Sequence, residues 1–232
     1  MQVVITGASQ GIGYSIAEAF AHAGYTLIIC SKTEQRLQAA TVQLQTKYPN
    51  ATIHSKAADL SSLEECQAFG HWCLGFGTPS ILINNAGFFL PGNIMDEEEG
   101  QLATQIAANL YSAYHTTRVL LPAMIQEGAG HIFNICSIAS LQAYPHGGSY
   151  SISKFALDGF SKNLRLELKD KGIKVTGVYP GATYTNSWAG SGVSTSRIME
   201  AEDIAKMIYA AAHLSPQAVV EDIVMRPQLG DL

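Results

Sequence analysis

The residues best suited to chemistry lie on one short stretch of the chain. Tyr150 is followed four residues later by Lys154. On a helix, positions i and i+4 share a face. An ammonium beside a phenol favours the phenolate and lowers the tyrosine pKa. An unperturbed tyrosine, at pKa ~10, is a poor base at neutral pH, so such a neighbour would bring it toward the range useful for acid–base work. A Tyr-x-x-x-Lys pair also occurs on ordinary exposed helix faces, so its surroundings must decide. Ser137, at the end of the apolar run His131–Cys136 and thirteen residues before Tyr150, supplies a hydroxyl to the same neighbourhood.

A second feature opens the chain. The apolar run Val3–Ile5 leads directly into Thr6-Gly7-Ala8-Ser9-Gln10-Gly11-Ile12-Gly13. Glycines let a backbone approach a pyrophosphate closely, and a helix N-terminus offers unpaired N–H groups and the positive end of its dipole. A glycine-rich turn without a ligand has the same composition. Its position between first strand and first helix favours a dinucleotide site made by Gly7, Ser9, Gln10, Gly11, Ile12 and Gly13. At the end of the second run stand Ser31 and Lys32, where NAD enzymes usually place an acid on the ribose 2′-hydroxyl. A hydroxyl and an ammonium suit a 2′-phosphate, so NADP(H) is favoured over NAD(H). Asn84-Asn85-Ala86-Gly87 follows a third run, as a small polar turn would at a sheet edge.

Positioning these groups requires a regular scaffold. Val3–Ile5, Leu27–Cys30, Ile81–Ile83, His131–Cys136 and Val175–Tyr179 are short, β-rich and bounded by turn residues, as buried parallel strands are. Val219–Met225 is expected to add an edge strand. Between them run helical stretches. Ile12, Ile16, Ala19, Phe20 and Ala23 share a face that Gly24 terminates. Ser31-x-x-Glu34 and Ser61-x-x-Glu64 match capping boxes. Asp96–Glu99 suits a helix N-terminus, and Asp203–Leu214 is an amphipathic helix stopped before Pro216. The alternation predicts an α/β fold: one domain over residues 1–232, with a Rossmann-type doubly wound parallel sheet and helices on both faces. Its ligand would bind at the carboxyl ends of the strands. Ala182–Ser196, rich in Gly, Ser and Thr, reads either as a surface loop or as a lid over the substrate.

Bulk properties narrow the class. Of 232 residues, 47% are hydrophobic and 14% charged, which fits a globular protein with a large core. A net charge of −5 gives no footprint for nucleic acid. The four cysteines, Cys30, Cys66, Cys73 and Cys136, show no C-x-x-C spacing and read as reduced thiols. The histidines form no zinc motif, so no metal is expected. No apolar run approaches the ~20 residues of a membrane span, and the immediate first strand leaves no room for a targeting peptide; the expected compartment is the cytoplasm.

Taken together, Thr6–Gly13, Asp59-Leu60, Asn84–Gly87, Asn109, Ser137, Tyr150-x-x-x-Lys154 and Pro180-Gly181 resemble the short-chain dehydrogenase/reductase family in order and spacing, over nearly the whole chain. The resemblance implies that Tyr150 donates a proton to a carbonyl oxygen as hydride arrives, and that Ser137 holds that oxygen. Lys154 would hold the nicotinamide ribose and tune Tyr150, and Asn109 would support a water relay behind the lysine. Asp59 and Leu60 would contact the adenine, and Asn85, Ala86 and Gly87 the adenosine ribose side. The segment from Pro180 and Gly181 to Thr183 would meet the nicotinamide amide. Gln10 stands where NADP(H)-preferring members often carry a basic residue, which leaves the preference to Lys32. The ending Val219–Gln228 resembles sepiapterin-type and general carbonyl reductases more than acyl-carrier reductases.

The implied activity is NADP(H)-dependent reduction of a ketone to an alcohol. The alternatives are a 3-oxoacyl-[acyl-carrier-protein] reductase, an NAD-linked alcohol dehydrogenase, or a cofactor-sensing scaffold without catalysis. Ile138, Phe88, Phe89, Tyr144, Tyr179, Tyr184 and Trp188 are candidate walls of an apolar pocket. By the same resemblance, helices near Gln101–Pro122 and Tyr150–Lys169 would join copies into a homodimer or homotetramer.

Overall fold

The structure, a computed structural model, describes residues 1–185 and 192–232. Seven parallel strands form one sheet in the order β3-β2-β1-β4-β5-β6-β7. They are β1 (Gln2–Ile5), β2 (Thr26–Ser31), β3 (Ile53–Ala57), β4 (Ile81–Asn84), β5 (Gly130–Ile135), β6 (Ile173–Pro180) and β7 (Asp222–Met225). The main helices are α1 (Gly11–His22), α2 (Glu34–Lys47), α3 (Leu63–Leu74), α4 (Gln101–Ile106), α5 (Ser112–Glu127), α6 (Gly148–Leu168) and α7 (Ala201–Ala212).

Alternate strand residues bury against opposite layers, as the period of a strand requires. Val3, Ile5, Leu27, Ile29, Ile81 and Ile83 pack on α1, α2 and α7 through Ile16, Phe20, Leu37, Leu44, Ile204 and Ile208. Val4, Ile28, Cys30, Leu82 and Ile132 pack on α3, α5 and α6 through Phe69, Cys73, Leu120, Met124 and Leu164. Burial on both faces is why these strands read as continuous apolar runs. All four cysteines are buried and free, in keeping with reduced thiols. Among the described residues, no helix is long and apolar enough to cross a membrane.

Four expectations shift. The edge strand β3, Ile-His-Ser-Lys-Ala, has no apolar run to announce it, because it pairs with one neighbour only and none of its residues is fully buried. The capping boxes move. Ser31 ends β2 and Thr33 precedes α2 without a side-chain cap, while Ser62, not Ser61, caps α3 by accepting from the Glu65 N–H. Asp96–Glu99 precedes α4 rather than opening it, since Gly100 in the left-handed region is its N-cap. On α1 the buried face includes Ala17 and Ala21, and Ala23 is exposed.

The strand order reverses between β1 and β4, and the crevice beyond their carboxyl ends is where ligands of such sheets bind.

Candidate active site

A cavity of about 550 Å³ opens at that crevice. One end is built from backbone. Gly7 and Gly11 have φ of +65° and +57°, which glycine adopts without strain. Gly13 packs so tightly on the carbonyl of Gly7 that a Cβ would collide with it, and would lie 2.5 Å from the Asn85 amide. The first N–H groups of a helix have no intrahelical acceptors, and Gln10, the N-cap of α1, provides no side-chain cap for them. Asn85 explains why this turn holds its shape. Its side-chain amide donates to the carbonyls of Thr6 and Gly7 (both 3.0 Å), and its N–H donates to the Thr6 hydroxyl (3.0 Å). A cradle emptied of side chains at a helix N-terminus fits a dinucleotide pyrophosphate.

Beyond the turn, Ser9 and Ser31 hydroxyls meet at 2.8 Å. Lys32 forms an ion pair with Asp59 at 2.7 Å, with the lysine side chain mostly exposed. Burial raises the Asp59 pKa, but the Lys32 ammonium and the Ser61 hydroxyl and N–H outweigh it and hold the carboxyl below its ordinary value. Ser9, Gly13, Ser31, Lys32, Asp59, Leu60 and Ala86 lie outside the cavity lining, whereas Gly7, Gln10, Gly11, Ile12, Asn85 and Gly87 are part of it.

The other end is built from side chains. Ser137, Tyr150, Lys154, Ile138, Phe88, Phe89, Tyr144 and the segment from Pro180 to Thr183 line it. Ser137 follows β5 and caps the short turn Ile138–Ser140, which fixes its hydroxyl near the strand end. Burial pushes the Tyr150 hydroxyl up to about 12, against a smaller downward pull from its hydrogen bond with Ser137. Burial also pushes Lys154 down, to about 8. Its ammonium donates to the Ile135 carbonyl at 2.8 Å and stands 5.8 Å from the Tyr150 ring centre. The expected lowering of Tyr150 by Lys154 is therefore absent in this state: desolvation dominates, and the lysine is turned toward the strand.

Asn109 lies on a π turn, Ala107–Tyr111, between α4 and α5. Such bulges re-aim side chains and often mark functional sites. Its carbonyl oxygen accepts from the Phe88 N–H at 2.9 Å, and its amide donates to the Phe88 carbonyl (3.1 Å) and the Ser153 hydroxyl (2.9 Å). It lies behind the cavity wall as a clamp.

Other placements depart from expectation. Tyr179 is in the core, 1% exposed, with its hydroxyl donating to Asp158 at 2.8 Å, so it is no pocket wall. Tyr184 is half exposed and outside the lining. Trp188, and residues 186–191 of the expected lid, lie outside the described residues. The cavity also takes in Gln142, Asp231 and Leu232, which carried no signal in the sequence. Arg226 pairs with Asp231, and Arg197 donates to the carbonyls of Leu229, Gly230 and Asp231, folding this last segment over Gly181.

Comparison with known proteins agrees with this geometry. Residues 1–193 match the family model described as short chain dehydrogenase. The chain belongs to the short-chain dehydrogenase family. Over 99% of its length and 97% of the relative's, it is 31% identical to a protein named sepiapterin reductase from Chlorobaculum tepidum. The fold superposes with TM-score 0.89 on an alcohol dehydrogenase from Thermococcus sibiricus complexed with 5-hydroxy-NADP (25% identity, covering 98% and 96% of the two chains). It superposes equally, at 0.89, on L-sorbose reductase from Gluconobacter frateurii complexed with NADPH and L-sorbose (26% identity, covering 97% and 94%). This member of the family is an oxidoreductase with a nucleotide-binding Rossmann fold.

Proposed function

We propose that this short-chain dehydrogenase reduces a ketone to an alcohol with NADPH. The observation that carries the reading is a convergence: Ser137, Tyr150 and Lys154 line the same cavity as the glycine turn of Gly7 and Gly11, and burial holds the Tyr150 hydroxyl in its protonated form. At neutral pH it is a protonated acid, and an acid is what a ketone gaining hydride requires.

The glycine turn with Gln10, Ile12, Asn85, Ala86 and Gly87 would hold the nucleotide, and Pro180, Gly181 and Thr183 its nicotinamide end. Bound there, NADPH supplies hydride. Ser137 donates a hydrogen bond to the substrate oxygen and fixes its position. Tyr150 gives that oxygen its proton. Lys154, released from Ile135 by a ribose hydroxyl, would stand nearer the phenol as an ammonium and favour its ionised form after transfer. Lys32 would meet a 2′-phosphate by leaving Asp59, a surface pair worth only about 0–1 kcal/mol. Complexes of relatives with NADPH or a modified NADP support the same choice. Pterin ketones come first among substrates to try because of the relative named sepiapterin reductase. Exposed Leu102, Tyr111, Tyr114, Ile152 and Phe155, on the helices and π turn expected to join copies, support a homodimer or homotetramer.

The test is a fluorescence titration with NADPH and NADH, then turnover of pterins, diketones and acetoacetyl thioesters. Tighter NADPH binding and ketone turnover, lost in Tyr150→Phe, support the reading. Equal or tighter NADH binding would replace it with an NAD-linked dehydrogenase. Binding without turnover of any ketone would favour a cofactor sensor.

A further inference from the structure

Residues 88–97 form an irregular segment between β4 and α4, yet buried side chains pin it at intervals. Asn109 holds both backbone groups of Phe88. Four residues earlier, Gln105, fully buried, does the same for Leu90: its oxygen accepts from the Leu90 N–H (3.4 Å) and its amide donates to the Leu90 carbonyl (3.2 Å). Gly92 donates to the carbonyl of His146 at 3.0 Å. At the far end, the Glu97 carboxylate accepts from the Ser149 N–H (2.7 Å) and from the Ser149 hydroxyl, in the first turn of α6 and next to Tyr150. Gly148, at φ +26°, makes the room: a Cβ there would overlap Glu97 and the Gly92 carbonyl. Phe89, between the two clamped residues, lines the cavity and sets its ring edge-to-face on Tyr150, with centres 4.9 Å apart.

Asn109 and Gln105 satisfy backbone groups that a loop normally gives to water. Glu97 also places a carboxylate at the N-terminus of a 21-residue helix, where the helix dipole favours it. A loop held this way presents a fixed wall.

We propose that Gln105 and Glu97 are positioning residues that hold Phe89 against Tyr150, and that this wall sets the size of ketone accepted. The inference rests on the carbonyl-reductase reading. Gln105→Leu and Glu97→Ala free the wall without touching substrate. Both variants lose discrimination between a small aliphatic and a bulky aromatic ketone by about tenfold, within the range of pocket-size effects. The change falls in KM for the bulky ketone, with kcat for the small one and NADPH affinity unchanged. Glu97→Gln, which keeps an acceptor for Ser149, restores discrimination. In a Phe89→Ala background, Gln105→Leu adds nothing further, as expected of two residues acting as one unit.

Unchanged discrimination, or a parallel loss for both ketones and NADPH, overturns the proposal while leaving the reductase reading intact. If the unaltered protein turns over no ketone, the reductase reading fails first. The pins are then judged by hydrogen exchange at the Leu90 and Ser149 amides, and undiminished protection in the variants overturns them as well.

Discussion

The two ends of the cavity are made of different material. At the end proposed for the nucleotide, contacts come from backbone: glycines too close to their neighbours for any Cβ, and a helix start, braced by Asn85. At the end proposed for the ketone they come from side chains on separate elements: Ser137 after β5, Tyr150 and Lys154 on α6, Phe89 on a pinned loop, and Asp231 near the end of the chain. A backbone cradle serves one ligand shape and changes little with sequence. A side-chain wall can be retuned one residue at a time. Members of one family can therefore share a nucleotide while differing in substrate.

The largest effect expected is at the carbonyl end. Tyr150→Phe should lower kcat by about 10³-fold, the usual scale of a lost general acid, with NADPH affinity kept. A parallel loss of NADPH binding, followed by fluorescence, would mean that the two ends are not separable. Gly13→Ala attacks the other end. Its methyl would strike the Gly7 carbonyl and the Asn85 amide. Overpacking of this kind costs about 1–3 kcal/mol, so NADPH binding should weaken by roughly tenfold or more, seen in the same titration.

Asn109→Ala tests the clamp behind the wall. It removes the partner of the part-buried Phe88 backbone groups and of the buried Ser153 hydroxyl, and urea unfolding should show a loss of about 1–3 kcal/mol.

Smaller still is Lys32→Ala. Stability should change by less than about 1 kcal/mol, because the pair with Asp59 is at the surface. The preference for NADPH over NADH should nonetheless fall, which paired titrations would reveal.

The subtlest test uses pH. Burial holds Lys154 down to about 8, while the unfolded chain keeps a lysine near ~10.4. Between these values the unfolded state binds more protons, so stability should rise with pH through that window. Tyr150, held up at about 12, acts oppositely above pH ~10, where only the unfolded chain has released the phenolic proton. Urea melts of Lys154→Met should lose the rise above pH 8; an unchanged slope would mean that burial does not govern this lysine.

Much of this was legible in the sequence. The glycine turn declares itself because only glycine tolerates its close approaches, and residue type there carries the geometry. Tyr150 and Lys154 share a helix face by spacing alone. The buried strands announce themselves because both their faces are covered. β3 did not, because a half-buried edge strand with a single neighbour needs no apolar run.

What only tertiary structure decided is where burial and distant partners act. Sequence spacing places Lys154 beside Tyr150, but the depth of the site turns the lysine to Ile135 and raises the tyrosine instead of lowering it. Tyr179 looks like any pocket aromatic until Asp158, on a neighbouring helix, claims its hydroxyl. Gln105, Glu97 and Asp231 carry no motif, since their roles depend on Leu90, Ser149 and Arg226. Local sequence fixes backbone conformation and the face a residue shares. Desolvation and long-range hydrogen bonds exist only once the chain has closed around them.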